Sequence, residues 1–217
     1  MIIRILIAFG LGSIPFAVLA MAGSGVDIRK VGSGNPGFNN VLRVSKSRAV
    51  WALLGDMGKG VGALVLVWLA FPVTLHAAQR GFIGYLAVRP VQARIIEGWL
   101  FGFAAILGHC YSPFLKFRGG KGIATSAGVM LVLYPLYAVI ALAGFATVRA
   151  GGSKLKLREA GAIASLSAWI LFVLLMLGFK GPVDVVCAAI VAAFLFWRHQ
   201  RNLRHVLERK HELPVRV

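Results

Sequence analysis

The segment of the sequence best suited to chemistry is a glycine-rich stretch around Lys121, which reads Gly119-Gly120-Lys121-Gly122 and precedes an apolar run. Glycines let backbone N–H groups approach an anion, and a helix that begins here adds its positive end. The pattern is not a P-loop, because Leu115 stands where that motif has its first glycine and Gly122 where it has Ser or Thr. We therefore predict an anion site around Lys121.

A second loop places hydrogen-bond donors beside an arginine. It reads Val31-Gly32-Ser33-Gly34-Asn35-Pro36-Gly37-Phe38-Asn39-Asn40-Val41-Leu42-Arg43. Ser and Asn side chains can donate to an anion, and an arginine can bind a phosphate through two parallel hydrogen bonds. The same sequence is also consistent with a plain Gly/Pro turn beside basic residues that contact lipid headgroups. Spacing alone leaves both interpretations open.

Two pairs of polar residues lie three positions apart. His199 and Asn202 follow the last apolar run and share a face if the helix continues, although a basic end of a membrane span accounts better for this segment taken alone. Asp56 and Lys59 lie near the inner end of an apolar stretch, where an unpaired carboxylate is costly. We expect them to pair and to brace the loops.

Several familiar sites are missing from the sequence. No HxxxxD acyltransferase motif, no serial-Asp motif of the CDP-alcohol phosphotransferase type and no zinc-ligand spacing occurs, and the loops hold hardly any carboxylate that could act as a base. Cys110 and Cys187 lie in apolar stretches, so no disulfide framework is indicated. We expect neither a metal nor a cofactor.

The composition predicts an integral membrane protein. Of the 217 residues, 59% are hydrophobic and only 14% are charged, whereas about 25% are charged in a typical globular domain. The 24 Lys and Arg residues against 7 Asp and Glu residues give a net charge of +17, which favours anionic partners. We expect these to be membrane lipids and phosphorylated substrates, and not nucleic acid.

Uncharged runs outline the membrane spans. They cover residues 5–26, 60–79, 98–115, 122–148, 160–179 and 185–197. About 20 apolar residues cross a bilayer, so the run 122–148 is too long for one span, and Pro135 predicts a break that leaves short helices at about 122–133 and 136–149. We predict an all-α, polytopic membrane protein with about seven transmembrane helices, two of them short and central.

The positions of the charges predict the orientation. With seven helices, most of the Lys and Arg residues fall on one side, in the segments 23–48, 113–121 and 149–158 and in the tail from residue 198. That side is expected to be cytoplasmic, with the N-terminus outside and the C-terminus inside. We predict one catalytic membrane domain over residues 1–202 and a basic cytoplasmic tail over 203–217.

The N-terminal apolar run permits a second interpretation. Arg4, the apolar residues after it and Ala20-Met21-Ala22 resemble a secretory signal with a cleavage site. Cleavage would export the basic segment 23–48, against the charge rule, and Pro15 interrupts the apolar core. We expect the first helix to be retained.

The polar motifs occur in the order found in a known bacterial family. They are Gly12-Ser13-Ile14-Pro15-Phe16, Ser33-Gly34-Asn35-x-Gly37-x-x-Asn40, Asp56-x-x-Lys59-Gly60, Gly108-His109, Lys116-Phe117-x-Gly119-Gly120-Lys121-Gly122-x-Ala124-Thr125 and His199-x-x-Asn202. From the first helix to about residue 208, the chain resembles the membrane-embedded acyl-phosphate:glycerol-3-phosphate acyltransferases.

The resemblance implies transfer of a fatty acyl group from acyl phosphate to the 1-hydroxyl of sn-glycerol 3-phosphate, giving lysophosphatidic acid and phosphate in the first step of phospholipid synthesis. It also implies a cytoplasmic active site in the bacterial inner membrane. By matching positions, the catalytic residues would be Ser33, Arg43, Lys121, His199 and Asn202. The substrate-binding residues would be Gly34, Asn35, Asn40, Lys59, Gly120 and Thr125.

The absence of an evident base shapes the expected mechanism. A substrate phosphate oxygen would take the hydroxyl proton, and Ser33 would position a substrate by hydrogen bonding. A Ser33 nucleophile relayed by His199 is less favoured, because no carboxylate is evidently placed to orient that histidine. Two questions stay open: whether acyl-CoA can replace acyl phosphate as the donor, and whether an acyl-phosphate synthase docks on the basic tail.

Two features depart from the family pattern. Phe38-Asn39 stands where the family usually has Ala-Thr, so the hydroxyl is missing and a role for that side chain is in doubt. The outside segment 73–96, which carries three arginines, is long for the family and has no assigned function.

Two other classes of protein compete with the enzyme. A transporter of an organic phosphate would share the basic loops, but it would place polar or charged groups near mid-membrane. The spans here are apolar apart from Asp56 and Lys59, which lie near the end of a helix. A non-catalytic protein that holds anionic lipid would need only scattered lysines. We prefer the acyltransferase.

Overall fold

The computed structural model describes residues 1–70, 89–157 and 159–208, and every regular element in these ranges is helical. The all-α prediction is therefore confirmed for the described residues. The chain divides into two compact units, Met1–Leu133 and Tyr134–Val217. The prediction of a single catalytic domain over 1–202 stays a prediction.

The described residues form ten α-helices. In the first unit these are α1 (Ile2–Ser13), α2 (Phe16–Met21), α3 (Phe38–Val44), α4 (Lys46–Ala70), α5 (Arg89–Cys110) and α6 (Ile123–Leu133). In the second unit they are α7 (Pro135–Lys154), α8 (Ala160–Phe179), α9 (Pro182–Arg198) and α10 (Gln200–Glu208). A 3₁₀ turn, Pro113–Leu115, follows α5.

Four helical stretches among the described residues are long and apolar enough to cross a bilayer. They are Ile2–Met21, Lys46–Leu69, Pro135–Lys154 and Ala160–Phe179, and α9 with α10 makes a fifth if this bent pair is one span. The prediction of seven spans and of an outside N-terminus stays a prediction. Within the outside segment 73–96, residues 73–88 lie outside the described residues, as do residues 209–217 of the tail.

The predicted break at Pro135 is confirmed, but only one of the two helices around it is short. Helix α6 ends at Leu133, and α7 begins with Pro135 at its first position, where no N–H is needed. Helix α7 then runs for 20 residues, not to about 149 as predicted. Just after its end, Lys156 adopts a φ of 53°, and the N–H of Leu157 donates to the carbonyl of Gly152 at 2.8 Å. The uncharged run 122–148 did not indicate this helix end.

Glycines of the sequence motifs let helices of the first unit pack backbone to backbone. A Cβ on Gly12 would lie 2.1 Å from the carbonyl oxygen of Ala105, which brings α1 against α5. A Cβ on Gly60 would lie 2.3 Å from the carbonyl oxygen of Thr125, which brings α4 against α6. These close approaches fix the helices whose ends carry the polar loops.

Replacing Gly60 with alanine is expected to destabilise the first unit by about 1–3 kcal/mol, because the new methyl group meets backbone that cannot move aside. The measurement is the melting temperature of the purified protein in detergent. Gly62→Ala is the matched control, since a Cβ on Gly62 has no atom within 4 Å and alanine favours the helix. Equal melting temperatures for the two variants would contradict the packing argument.

Candidate active site

The first polar loop is held closed by Asn40, the third residue of α3. This side chain is only 1% exposed, and its Oδ1 accepts a hydrogen bond from the N–H of Ser33 at 3.0 Å. Its Nδ2 donates to the carbonyls of Ile28 at 2.9 Å and Val31 at 3.0 Å. The amide therefore shapes the loop that carries Ser33. A direct contact of Asn40 with substrate stays a prediction.

The same loop presents a hydroxyl and a guanidinium to its surface. Ser33 and Arg43 are both exposed, and the Oγ of Ser33 accepts from the N–H of Asn35 at 3.4 Å. Gly34 has a φ of +66°, a conformation that favours glycine. A Cβ on Gly32 would lie 3.7 Å from Cδ of Arg43, so the arginine stem passes beside the loop backbone. The arrangement suits a phosphate group.

Arg48, which the sequence analysis treated only as one of the cations, holds the start of this loop in place. Nη1 of Arg48, in the first turn of α4, donates to the carbonyls of Ala20 and Ala22, each at 2.7 Å. Carbonyls at the end of a helix lack partners within the helix, and a cation there is favourable. Arg48 therefore ties the end of α2 to α4 and fixes where the loop begins.

The glycine–lysine segment lies against the end of α5 and leads directly into α6, as predicted. The N–H of Gly119 donates to the carbonyl of Cys110 at 3.1 Å, and that of Gly120 to the carbonyl of His109 at 3.2 Å. A Cβ on Gly120 would lie 2.1 Å from Nε2 of His109, so a larger residue there would have to displace the imidazole ring. Lys121 is half-buried two residues before α6 begins. The segment thus combines an ammonium with the positive end of a helix.

The turn that precedes this segment is conformationally unusual. Lys116 and Phe117 have φ values of 50° and 60°, and residues other than glycine seldom occupy this region. The N–H of Phe117 donates to the carbonyl of Ser112 at 2.9 Å. The hydroxyl of Ser112 in turn donates to the carbonyl of Ser13 at 2.6 Å. The loop is therefore anchored to the end of α1.

A buried polar network lies beneath the glycine–lysine segment. Nζ of Lys59 is 2.9 Å from Oδ1 of Asp56, and both side chains are 2% exposed, so the predicted pairing is confirmed. Nδ1 of His109 lies 3.4 Å from the same carboxylate oxygen, and Lys59 also donates to the carbonyl of Ile14 at 2.9 Å. The ammonium of Lys59 is therefore bound to Asp56 and to the carbonyl of Ile14. A role of Lys59 in substrate binding stays a prediction.

The two polar loops of the first unit meet at one small cavity. Pro36 of the first loop and Gly120 of the second both line it, together with Asp56, Lys59 and His109. Sequence reasoning missed His109 as the residue that links the Asp56–Lys59 pair to Gly120. The signals that the sequence offered were the motif Gly108-His109 and the place of His109 near the end of an uncharged run.

Thr125 lies in the first turn of α6 and is 0% exposed. Among the described residues, its hydroxyl has no hydrogen-bond partner. A buried hydroxyl without a partner is costly, so this group is suited to a ligand that supplies one. That Thr125 binds substrate stays a prediction.

The second unit carries His199 and Asn202 at a bend. Helix α9 ends at Arg198 and α10 begins at Gln200, with 60° between their axes. The helix does not continue straight through this segment, so the condition under which both side chains would share one face is not met. The N–H of His199 donates to the carbonyls of both Leu195 and Phe196, which tightens and ends α9.

Both residues of the bend have specific partners. His199 is 3% exposed, and its Nδ1 lies 2.8 Å from the carbonyl oxygen of Leu195. Nδ2 of Asn202 donates to Oε2 of Glu159 at 2.6 Å. Sequence reasoning missed Glu159, since nothing local to this residue indicates a contact 43 positions away.

These observations define a class of protein: a membrane protein, helical throughout the ranges that the structure describes, whose polar loops present an arginine and a lysine suited to phosphate groups. The family model described as glycerol-3-phosphate acyltransferase matches residues 2–209. The chain belongs to this family, as its motifs predicted. It is thus related to integral-membrane acyltransferases of bacterial phospholipid synthesis.

Individual relatives and solved structures agree with this assignment. The glycerol-3-phosphate acyltransferase of Pseudomonas paraeruginosa is 38% identical over 202 residues, which are 92% of each chain. That of Methylobacillus flagellatus is 37% identical over 208 residues, or 94% of this chain and 92% of the relative. A crystal structure of PlsY, an integral membrane glycerol 3-phosphate acyltransferase, in its glycerol 3-phosphate form has a TM-score of 0.74 at 27% identity, covering 95% of this chain and 92% of that one.

Proposed function

We propose that the protein transfers a fatty acyl group from acyl phosphate to the 1-hydroxyl of sn-glycerol 3-phosphate, releasing lysophosphatidic acid and phosphate. Membership of the family supports the acceptor, as do the similar PlsY structures, one in a glycerol 3-phosphate form and another in a lysophosphatidic acid form. The observation that carries the proposal is the glycine–lysine segment at the start of α6, held over the buried pair Asp56–Lys59.

The proposed reaction is a direct acyl transfer. The 1-hydroxyl oxygen forms a bond to the acyl carbon, and the bond from that carbon to the bridging phosphate oxygen breaks. The hydroxyl proton passes to a phosphate oxygen of the substrate, so that phosphate leaves with the electron pair and the proton. Because the acyl group is already activated as an acyl phosphate, no enzyme nucleophile is needed.

The chain's task in this reaction is to hold two anions together. Arg43 and Lys121 neutralise the phosphate groups and the charge that develops on the acyl oxygen, and Ser33 positions a substrate by hydrogen bonding. Residues that line the site are proposed to be Gly34, Asn35, Asn40, Lys59, Gly120 and Thr125. His199 and Asn202 are proposed to be needed for the same reaction.

The proposed location of this chemistry is the cytoplasmic face of the bacterial inner membrane. The cation-rich loops support it, because they fall on one side of the predicted topology together with the tail. Anionic lipids of that leaflet are the expected neighbours of these cations. The tail is a candidate contact for an enzyme that supplies acyl phosphate.

The proposal is tested by supplying the substrates to purified protein. Phosphate release that requires both acyl phosphate and glycerol 3-phosphate, with lysophosphatidic acid identified by mass spectrometry, is the expected result. Acyl-CoA in place of acyl phosphate is expected to give no product. Release that is equal with and without glycerol 3-phosphate would indicate a hydrolase. Binding of glycerol 3-phosphate without turnover, and its uptake into proteoliposomes, would indicate a transporter.

A further inference from the structure

Helix α10, which carries Asn202, is only lightly packed: Asn202 and Leu203 are half-buried, and its other side chains are exposed. Its nine residues leave α9 at 60°, and none of its side chains is buried. A helix this short is marginal by itself in water. Specific side-chain contacts therefore matter more for the position of Asn202 than they would in a well-packed helix.

Glu159 supplies such a contact. Its Oε2 accepts from Nδ2 of Asn202 at 2.6 Å, and its Oε1 lies 3.5 Å from Nδ1 of His205. Asn202 and His205 are three positions apart and so lie on one face of α10. One carboxylate thus contacts two side chains of the helix, one with each oxygen.

Glu159 itself stands on a rigid element. It is the residue before α8, and its carbonyl accepts from the N–H groups of Ala162 at 2.9 Å and Ile163 at 3.0 Å. Its side chain is 14% exposed, so water competes little for the carboxylate. Helix α8 packs against both α7 and α9. Glu159 therefore links the lightly packed helix α10 to a helix that is well packed.

We propose that Glu159 is a positioning residue, which holds Asn202 in its working orientation. A carboxylate only accepts hydrogen bonds, so it fixes which end of the Asn202 amide turns towards α8 and which end faces elsewhere. The inference rests on the proposed function, in which Asn202 is needed for acyl transfer. It adds a residue that neither the motifs nor the family match assigns.

The test compares two substitutions of nearly equal length. Glu159→Met cannot accept a hydrogen bond, and kcat is expected to fall by about 10- to 100-fold because Asn202 is misplaced. Glu159→Gln still accepts from Nδ2 of Asn202 through its own carbonyl, and most of kcat is expected to remain. Glu208→Gln, at the exposed end of α10, is the matched control and is expected to behave as wild type. Glu159→Ala replaces the methionine variant if that protein does not fold.

A double substitution separates positioning from general damage. Glu159→Met combined with Asn202→Ala is expected to be no slower than Asn202→Ala alone, because Glu159 acts through Asn202. The inference would be overturned if the losses in kcat from the two single substitutions multiply in the double variant. It would also be overturned if Glu159→Met and Glu159→Gln lose kcat equally and both have a lowered melting temperature. A low activity of Asn202→Ala beside full activity of Glu159→Met would overturn it too. Full activity of Asn202→Ala would instead overturn the role of Asn202 in the proposed function.

Discussion

Replacing Lys121 with alanine is expected to lower kcat/KM for acyl transfer by about 100- to 1,000-fold, with little change in melting temperature. The ammonium stands just before the first turn of α6, where it adds a full charge to the positive helix end. Charge that develops on the acyl and phosphate oxygens in the transition state would lose this partner. Removing one such preorganised donor has an effect of about this size in other enzymes.

The measurement for Lys121 is steady-state kinetics with each phosphorylated substrate varied in turn. Arg118→Ala is the matched control, because Arg118 is an exposed cation three residues away in the same loop. It is expected to stay close to wild type. Lys121→Arg keeps the charge but replaces a compact ammonium with a planar group, so partial activity is expected. Full activity of Lys121→Ala would remove this residue from the proposed site.

Replacing Asp56 with alanine is expected to cost about 3–5 kcal/mol in the free energy of unfolding and to abolish activity with it. The substitution leaves the ammonium of Lys59, which is 2% exposed, without its carboxylate. Breaking one side of a buried ion pair leaves an uncompensated buried charge, and that penalty is large. His109, whose ring also contacts Asp56, would no longer be held beneath Gly120.

Thermal unfolding in detergent measures the loss at Asp56. Asp27→Asn is the matched control, because Asp27 pairs with Arg29 at 2.9 Å at the surface. Surface pairs contribute little, so no measurable change is expected at neutral pH. Asp56→Leu combined with Lys59→Met removes both charges and is expected to be more stable than Asp56→Leu alone. Equal stability of Asp56→Ala and wild type would show that the pair does not brace the loops.

Local patterns of the sequence determined much of this protein. Apolar runs and scarce charge predicted helices in a membrane, and Pro135 predicted where one run divides, because proline acts on the backbone of its own turn. The pairing of Asp56 with Lys59 was also readable, since residues three apart on a helix are neighbours. The order of the motifs indicated the family.

Only the tertiary structure decided which polar residues support the site and from where. Asn40 closes the loop of Ser33, Arg48 caps α2, His109 lies beneath Gly120 and Glu159 holds Asn202. Each of these contacts joins residues that are distant in sequence or lie on different elements. From the sequence alone, each of these residues could equally well be an exposed polar residue. The bend at His199 and the full length of α7 likewise depend on backbone hydrogen bonds at helix ends. Periodicity and spacing describe one element at a time, whereas such contacts arise when helices pack.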